Sequence, residues 1–175
     1  MPKILQHTGG DAVEVILADH RWFEEALREL RDETSDRAAV LADLATVLVA
    51  HAEAEESKVY PALRRTNAID EEEVEHSEHE HDEGNEALLA LLEVDDPASE
   101  EFSEKEHELS EALSHHLDEE ERDVLNPART DVDEEVRRQL GAEFAAERAR
   151  LIDEDCGRIE NVRRIVKEAE ARRKS

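Results

Sequence analysis

The sequence predicts an all-α protein: an up-down antiparallel four-helix bundle with an additional C-terminal helix. Three observations lead there. Five Gly and four Pro in 175 residues leave few turn-formers, while Ala occurs 23 times. Aromatic residues are 3% of the chain, so sheet-formers are scarce too. Aliphatic residues recur at spacings of three and four along four successive segments. The third observation decides the matter, because composition alone leaves disorder open. The net charge is −27, and Leu, Ile, Val and Phe together make 40 of 175 residues, just above the disordered range. A disordered acidic chain has no reason to hold its aliphatics on one helical face.

The first helix runs from Asp11 to about Arg31, with Val13, Ile16, Leu17, Phe23, Leu27 and Leu30 on one stripe, and Asp11 to Glu14 reads as a capping box. The second runs from about Asp36 to Tyr60 on Val40, Leu44, Val47, Leu48 and Val59, with Pro61 expected to stop or kink it. A third opens at Asp70, with Glu73 three residues on, and carries Val74, Leu88, Leu91 and Leu92 to a break at Asp95-Asp96-Pro97. The fourth carries Phe102, Leu109, Leu113, Leu117 and Val124 to Pro127. Short connections between helices of such length favour antiparallel neighbours.

A fifth helix is expected from Asp131, with one break near Asp155-Cys156-Gly157. Residues 1–130 thus form the expected bundle and 131–175 a helical extension. Residues 158–175 hold seven basic groups and three acids, a net +4, which leaves −31 on residues 1–157. Two readings fit that basic end: a helix C-terminus suited to its dipole and to the acidic body, or a docking tail for another acidic protein. A homodimer through the C-terminal helix is a further expectation.

An acid excess of 49 to 22 argues against nucleic acid or an anionic membrane as a partner, since both are polyanions. Five Lys against 17 Arg suggests a salt-adapted or high-GC source. No apolar run is long enough to span a bilayer and the N-terminus lacks a signal-peptide core, so a soluble cytoplasmic protein is expected. Cys156, the single Cys, lies in a polar stretch and reads as a spectator thiol.

The chemistry is carried by His and Glu. Seven of the nine His have Glu at i+4, a spacing that discriminates nothing in so Glu-rich a chain. Phase on the apolar stripe does discriminate. His20, His51 and His116 share a face with the apolar residues three, four and seven positions before them, and His81 with Val74 and Leu88 seven away on either side, so one His per helix faces inward. His76, His79, His107 and His115 are off that phase and read as solvated. Glu55 and Glu120 follow two inward His by one turn and also face inward, with Val59 and Val124 continuing the stripe.

The halves echo each other: Asp19-His20 answers Glu80-His81 at an offset of 61, and His51 to Pro61 answers His116 to Pro127 at about 65. Uncompensated buried carboxylates cost several kcal/mol each. No Lys or Arg occupies an inward mid-helix position on the four helices, which leaves metal or protonated histidines to meet Glu55 and Glu120. Six imidazole and carboxylate donors suit a pair of first-row metals better than one zinc, as in di-iron or di-manganese sites.

These residues resemble the hemerythrin-like family, the HHE cation-binding domain, whose pattern is His, His-x-x-x-Glu, Glu-His and His-x-x-x-Glu on four antiparallel helices. The match runs from Asp19-His20 through His51 to Glu55 and Glu80-His81 to His116 and Glu120, within about residues 11–128. The resemblance implies two iron ions in a non-haem di-iron centre, compatible with an oxo or hydroxo bridge. His20, His51, His81 and His116 are then terminal ligands, and Glu55 and Glu120 bridge.

Oxygen carriers of the family have a fifth His where this chain has Ser77, so His76, Glu78 or a water must replace it, or the position is open. Tyr60 is either an extra ligand or hydrogen-bond donor at the open iron, or simply a tyrosine at the bundle end. Gly84 either leaves room for a small diatomic ligand or permits close helix packing. The expected function is binding of dioxygen, peroxide or nitric oxide for sensing, storage or detoxification. Two alternatives stand beside it: a di-iron oxidase or peroxide-degrading enzyme, and a metal-independent or zinc-binding acidic adaptor acting through its basic tail. Whether the chain is an enzyme stays open.

Overall fold

The computed structural model describes residues 3–175, and no strand occurs among them. Helix α1 spans Ala12–Arg31, α2 Arg37–Ala54, α3 Tyr60–Arg65, α4 Glu71–Leu92, α5 Glu100–Glu120, α6 Asn126–Asp131, α7 Glu134–Asp153 and α8 Ile159–Lys174. Two π-helical turns, Glu55–Val59 and Glu121–Leu125, weld α2 to α3 and α5 to α6, giving six rods. The expected bundle is present: α1 packs on α2, α4 on α5, and the two hairpins meet through α1 with α5 and α2 with α4.

The helices begin where side-chain oxygens satisfy free amides. Asp11 accepts from the Val13 amide, Asp36 from Ala39, Asp70 from Glu73 and Ser99 from Phe102. Glu14 does not complete a capping box but turns outward to Arg129, 3.4 Å away. The last long pair starts two residues later than expected, with Asp133 at the N-cap of α7 while Asp131 ends α6.

Pro61 and Pro127 do not stop their helices. Proline lacks an amide hydrogen and its ring crowds the carbonyl four residues back. In each rod a π turn comes just before the ring: the Tyr60 amide donates to the Glu55 carbonyl, and the Asn126 amide to the Glu121 carbonyl. The wider turn takes up one extra residue, and the helix continues with its following face rotated.

The interior has two apolar layers. One contains Phe23, Leu27, Leu44, Leu88, Leu91, Phe102 and Leu109, and the other Val13, Ile16, Val59, Leu63, Val124, Leu125 and Phe144. Helix α7 lies against α1 and α2 and buries Leu140, Phe144, Arg148 and Leu151. Two glycines make its close approach possible. A Cβ on Gly141 would sit 1.9 Å from the Gly10 carbonyl oxygen, and one on Gly157, in the α7–α8 turn, 2.3 Å from the Thr46 amide nitrogen. Cys156, in that turn, is buried with Sγ 3.3 Å from the Thr46 carbonyl oxygen, and burial pushes its thiol up to about 12.

Helix α8 buries Val162, Val166 and Ala169 and packs on α4. Its basic end is paired with α4 acids: Arg172 with Asp82, Arg173 with Glu86 and Arg163 with Glu93. No helix among the described residues is long and apolar enough to cross a membrane.

Candidate metal centre

Between the apolar layers lies a polar one. His20, His51, His81, His116, Glu55 and Glu120 are all buried there, none more than 6% exposed. The four His that were off-phase point away, with side chains 47–72% exposed. Phase on the stripe therefore separated buried from solvated histidines, where spacing did not.

Each inward ring has its Nδ1 engaged by a carboxylate. His20 Nδ1 lies 3.0 Å from Glu121, His51 Nδ1 3.0 Å from Asp19, His81 Nδ1 2.7 Å from Glu56 and His116 Nδ1 2.8 Å from Glu80. Such bonds fix the tautomer and turn every Nε2 toward the centre. The four orienting carboxylates sit next in sequence to the inward residues, in the doublets Asp19-His20, Glu55-Glu56, Glu80-His81 and Glu120-Glu121. Asp19 and Glu80 orient a ring in their own half of the chain, Glu56 and Glu121 one in the other half. The repeat thus makes two halves that lock each other. Sequence reasoning recorded these doublets only as an echo and assigned the orienting residues no role.

Around the centre, His51 Nε2 is 3.0 Å from Glu55 Oε1, His81 Nε2 is 3.3 Å from Glu55 Oε2, and His20 Nε2 is 3.1 Å from Glu120 Oε2. His81 and His116 bring their Nε2 atoms within 3.1 Å. These donors form two groupings, His20–His51–Glu55–Glu120 and Glu55–His81–His116, with Glu55 common to both. Glu120 is less symmetric. Its Oε2 is 3.8 Å from His116 Nε2, while its Oε1 accepts from the Tyr60 hydroxyl at 2.8 Å.

Tyr60 is therefore inside the layer, also 3.3 Å from His81 Nε2 and 3.4 Å from Glu55 Oε2. In an unbroken α-helix a residue nine beyond His51 would face about 180° away. The π turn at Glu55–Val59 absorbs one residue and swings Tyr60 back toward the site. The signal in the sequence was Pro61, which marks the place where the helix must widen.

Electrostatics bear on the same residues. Burial alone would raise Glu55, but the charges of the His51 and His81 rings beside it hold its carboxyl well below the usual range. Burial would lower His51, yet the nearby Glu55 charge and the bond to Asp19 outweigh it and push the ring up to about 10. His81 is raised well above its ordinary value against the same burial, by bonds to Glu55 and Glu56. Burial and the nearby Glu120 and Glu55 charges keep the Tyr60 hydroxyl protonated far above its usual range.

A buried cation does come close, from outside the four bundle helices: Arg148 of α7 grips Asp19 with Nε at 2.7 Å and Nη2 at 2.9 Å, leaving Glu55 and Glu120 to the histidines.

The layer fits metal. His51 Nε2 and Glu55 Oε1 are buried without any hydrogen bond although only 3.0 Å apart, the condition of two donors aimed at a common absent partner. At the position of the fifth family His, Ser77 is buried with Oγ 3.5 Å from Glu73, and His76 and Glu78 are both exposed on other faces of α4. Neither replaces the missing imidazole. Beside His81 and His116 lies a cavity of about 20 Å³, walled by Leu48, Ala52, Gly84, Asn85 and Leu113, enough for one water-sized molecule. A Cβ on Gly84 would meet nothing within 4 Å, so this glycine borders open space and is not required by close packing.

Neither a curated protein nor a solved structure matches the chain. A family model does, from residue 11 to residue 128, a stretch that begins at the N-cap of α1 and takes in every inward His and Glu. This chain belongs to the hemerythrin HHE cation-binding domain family.

Proposed function

We propose that the chain is a cytoplasmic non-haem di-iron protein that binds dioxygen, peroxide or nitric oxide for sensing, storage or detoxification. One observation carries the reading: the two oxygens of Glu55 divide between two histidine sets, Oε1 toward His51 and Oε2 toward His81, as a bridging carboxylate requires. His20, His51 and Glu120 would hold one iron and His81 and His116 the other, with Glu55 between them. When bound, the iron pair supplies the electrons and the open coordination for a small ligand.

The chain's own residues do the rest. Asp19, Glu56, Glu80 and Glu121 keep each imidazole in the tautomer whose Nε2 can donate its lone pair. Tyr60 holds its proton at the hydroxyl and presents it between Glu120 and His81. Leu48, Leu113 and the bare face at Gly84 form a small, largely apolar recess that suits a diatomic molecule or peroxide and excludes larger substrates. The test is Gly84→Val, whose side chain would fill that recess. Nitric oxide and peroxide binding, followed optically in the iron-loaded protein, should weaken at unchanged iron content. Unchanged binding would put the ligand elsewhere.

A second reading, a di-iron oxidase or peroxide-degrading enzyme, draws on Ser77: with neither His76 nor Glu78 turned inward to replace the fifth His, more coordination is open for turnover. Peroxide turnover that persisted in Glu55→Ala would exclude this site as its source.

A further inference from the structure

A second group of metal-binding side chains lies outside the buried layer, where α4 meets α5. His76 and Glu80 project from α4, and His115 and Glu119 from α5. Glu80 Oε1 is 3.5 Å from His76 Nε2 and 3.4 Å from His115 Nε2. Glu119 Oε1 is 3.6 Å from His115 Nε2, and Glu119 Oε2 is 2.7 Å from His76 Nε2. An ion bound tetrahedrally at about 2.0–2.1 Å from each donor sets its ligands roughly 3.3 Å apart. His76, Glu80 and Glu119 each offer one donor atom within 4.8 Å of the others, and His115, 3.4 Å from Glu80 Oε1 but facing the other oxygen of Glu119, completes the set by a rotation of its exposed ring.

Glu80 makes this more than an acidic cluster. Its carboxylate is 6% exposed, and Oε1, the oxygen facing both imidazoles, is buried without a hydrogen-bond partner. Oε2 is already used, accepting from His116 Nδ1 at 2.8 Å. An orphaned buried carboxylate oxygen is costly. The nearby imidazoles lie within reach of it but without hydrogen-bonding geometry, whereas a cation, which makes no angular demand of an N–H donor, would satisfy it.

We propose that His76, Glu80, His115 and Glu119 form a separate site for one divalent first-row cation of the zinc class. Mixed imidazole and carboxylate donors, no thiolate and a half-open face are the chemistry such ions take, and they disfavour calcium or magnesium, which prefer oxygen alone. Glu80 links this ion to the inner layer, one carboxylate and one imidazole away. The site does not depend on the inner layer holding iron.

The test uses the full chain stripped of metal and titrated with zinc, counting equivalents by equilibrium dialysis, against His76→Ala/His115→Ala. Both rings are at least 47% exposed, so the variant should melt like the parent. The expected result is the loss of one zinc equivalent per chain with all others retained. Glu119→Gln, a milder change, should weaken that equivalent about tenfold or more. Equal stoichiometry and affinity in parent and variants would overturn the proposal. The inner layer is scored separately: a parent that binds one zinc, lost in the double variant, supports the outer site while counting against the inner one.

Discussion

Asp19→Ala removes the residue on which the buried network turns. Its carboxylate is 0% exposed and lies within hydrogen-bonding distance of Arg148 Nε and Nη2, His51 Nδ1 at 3.0 Å and His7 Nε2 at 2.8 Å. Without it Arg148, only 2% exposed, keeps one bond, from Nη1 to the Leu5 carbonyl at 2.9 Å. Removing one partner of a buried ion pair costs about 3–5 kcal/mol. For a chain of this size each kcal/mol shifts Tm by about 2–4 °C, so a fall of roughly 6–20 °C is expected.

The assay is a thermal melt by circular dichroism in chelator, so that metal does not contribute. The sign against pH is also set. Burial raises the Asp19 carboxyl, but the bonds from His51 and His7 and the Arg148 charge hold it well below its ordinary 3.8. Its contribution is full above 3.8 and lost as pH falls through the lower folded value, so parent and variant should converge only in strong acid. Asp19→Leu/Arg148→Met, which replaces both charges with apolar groups, should recover much of the loss. A drop below about 3 °C, or a double variant no better than the single, would refute the reasoning.

Other consequences are as direct. Because His51 holds its proton up to about 10 in the metal-free chain, metal binding at neutral pH should release at least one proton, read by calorimetry in buffers of different ionisation enthalpy; no release would contradict the assignment. In the metal-free chain the His51 contribution to stability should be full below its ordinary 6.5 and disappear as pH rises through about 10, as melts across that range would record. Tyr60→Phe leaves Glu120 Oε1 without its donor and should cost about 1–3 kcal/mol in a denaturant titration of the metal-free protein. Gly141→Ala should destabilise by about 1–3 kcal/mol, contrary to the usual gain at a helix-interior glycine, because the new Cβ meets the Gly10 carbonyl. Trp22, the only Trp, donates Nε1 to the Lys3 carbonyl, so its fluorescence should report the displaced N-terminal segment.

What could be read from the sequence was whatever depends on phase. The aliphatic stripe defines a helix face whatever the surface composition, so the bundle and the six inward His and Glu were legible. Identity without phase was not. Asp19, Glu56, Glu80 and Glu121 act from positions adjacent to the stripe, and in a chain with 49 acids a carboxylate beside a His carries no signal of its own. Arg148 was invisible for another reason: it reaches Asp19 from α7, 129 residues away, across a packing that local periodicity does not encode.

Pro61 and Pro127 misled because their ordinary effect is to end a helix, and the π turns that carry the chain past them also bring Tyr60 inward. His76 and His115 read as solvated, and they are exposed. Their juxtaposition around Glu80 is a property of the α4–α5 contact and not of either helix alone.

We propose above that Glu55, Glu120 and the four inward histidines hold two irons. The most direct test is iron content with the visible spectrum of the aerobically reconstituted full chain, before and after peroxide. The expected result is two irons per chain, a visible charge-transfer absorption that peroxide alters, and loss of both in Glu55→Ala. Far fewer than two irons with no visible absorption, or a spectrum and iron content unchanged in Glu55→Ala, would contradict it.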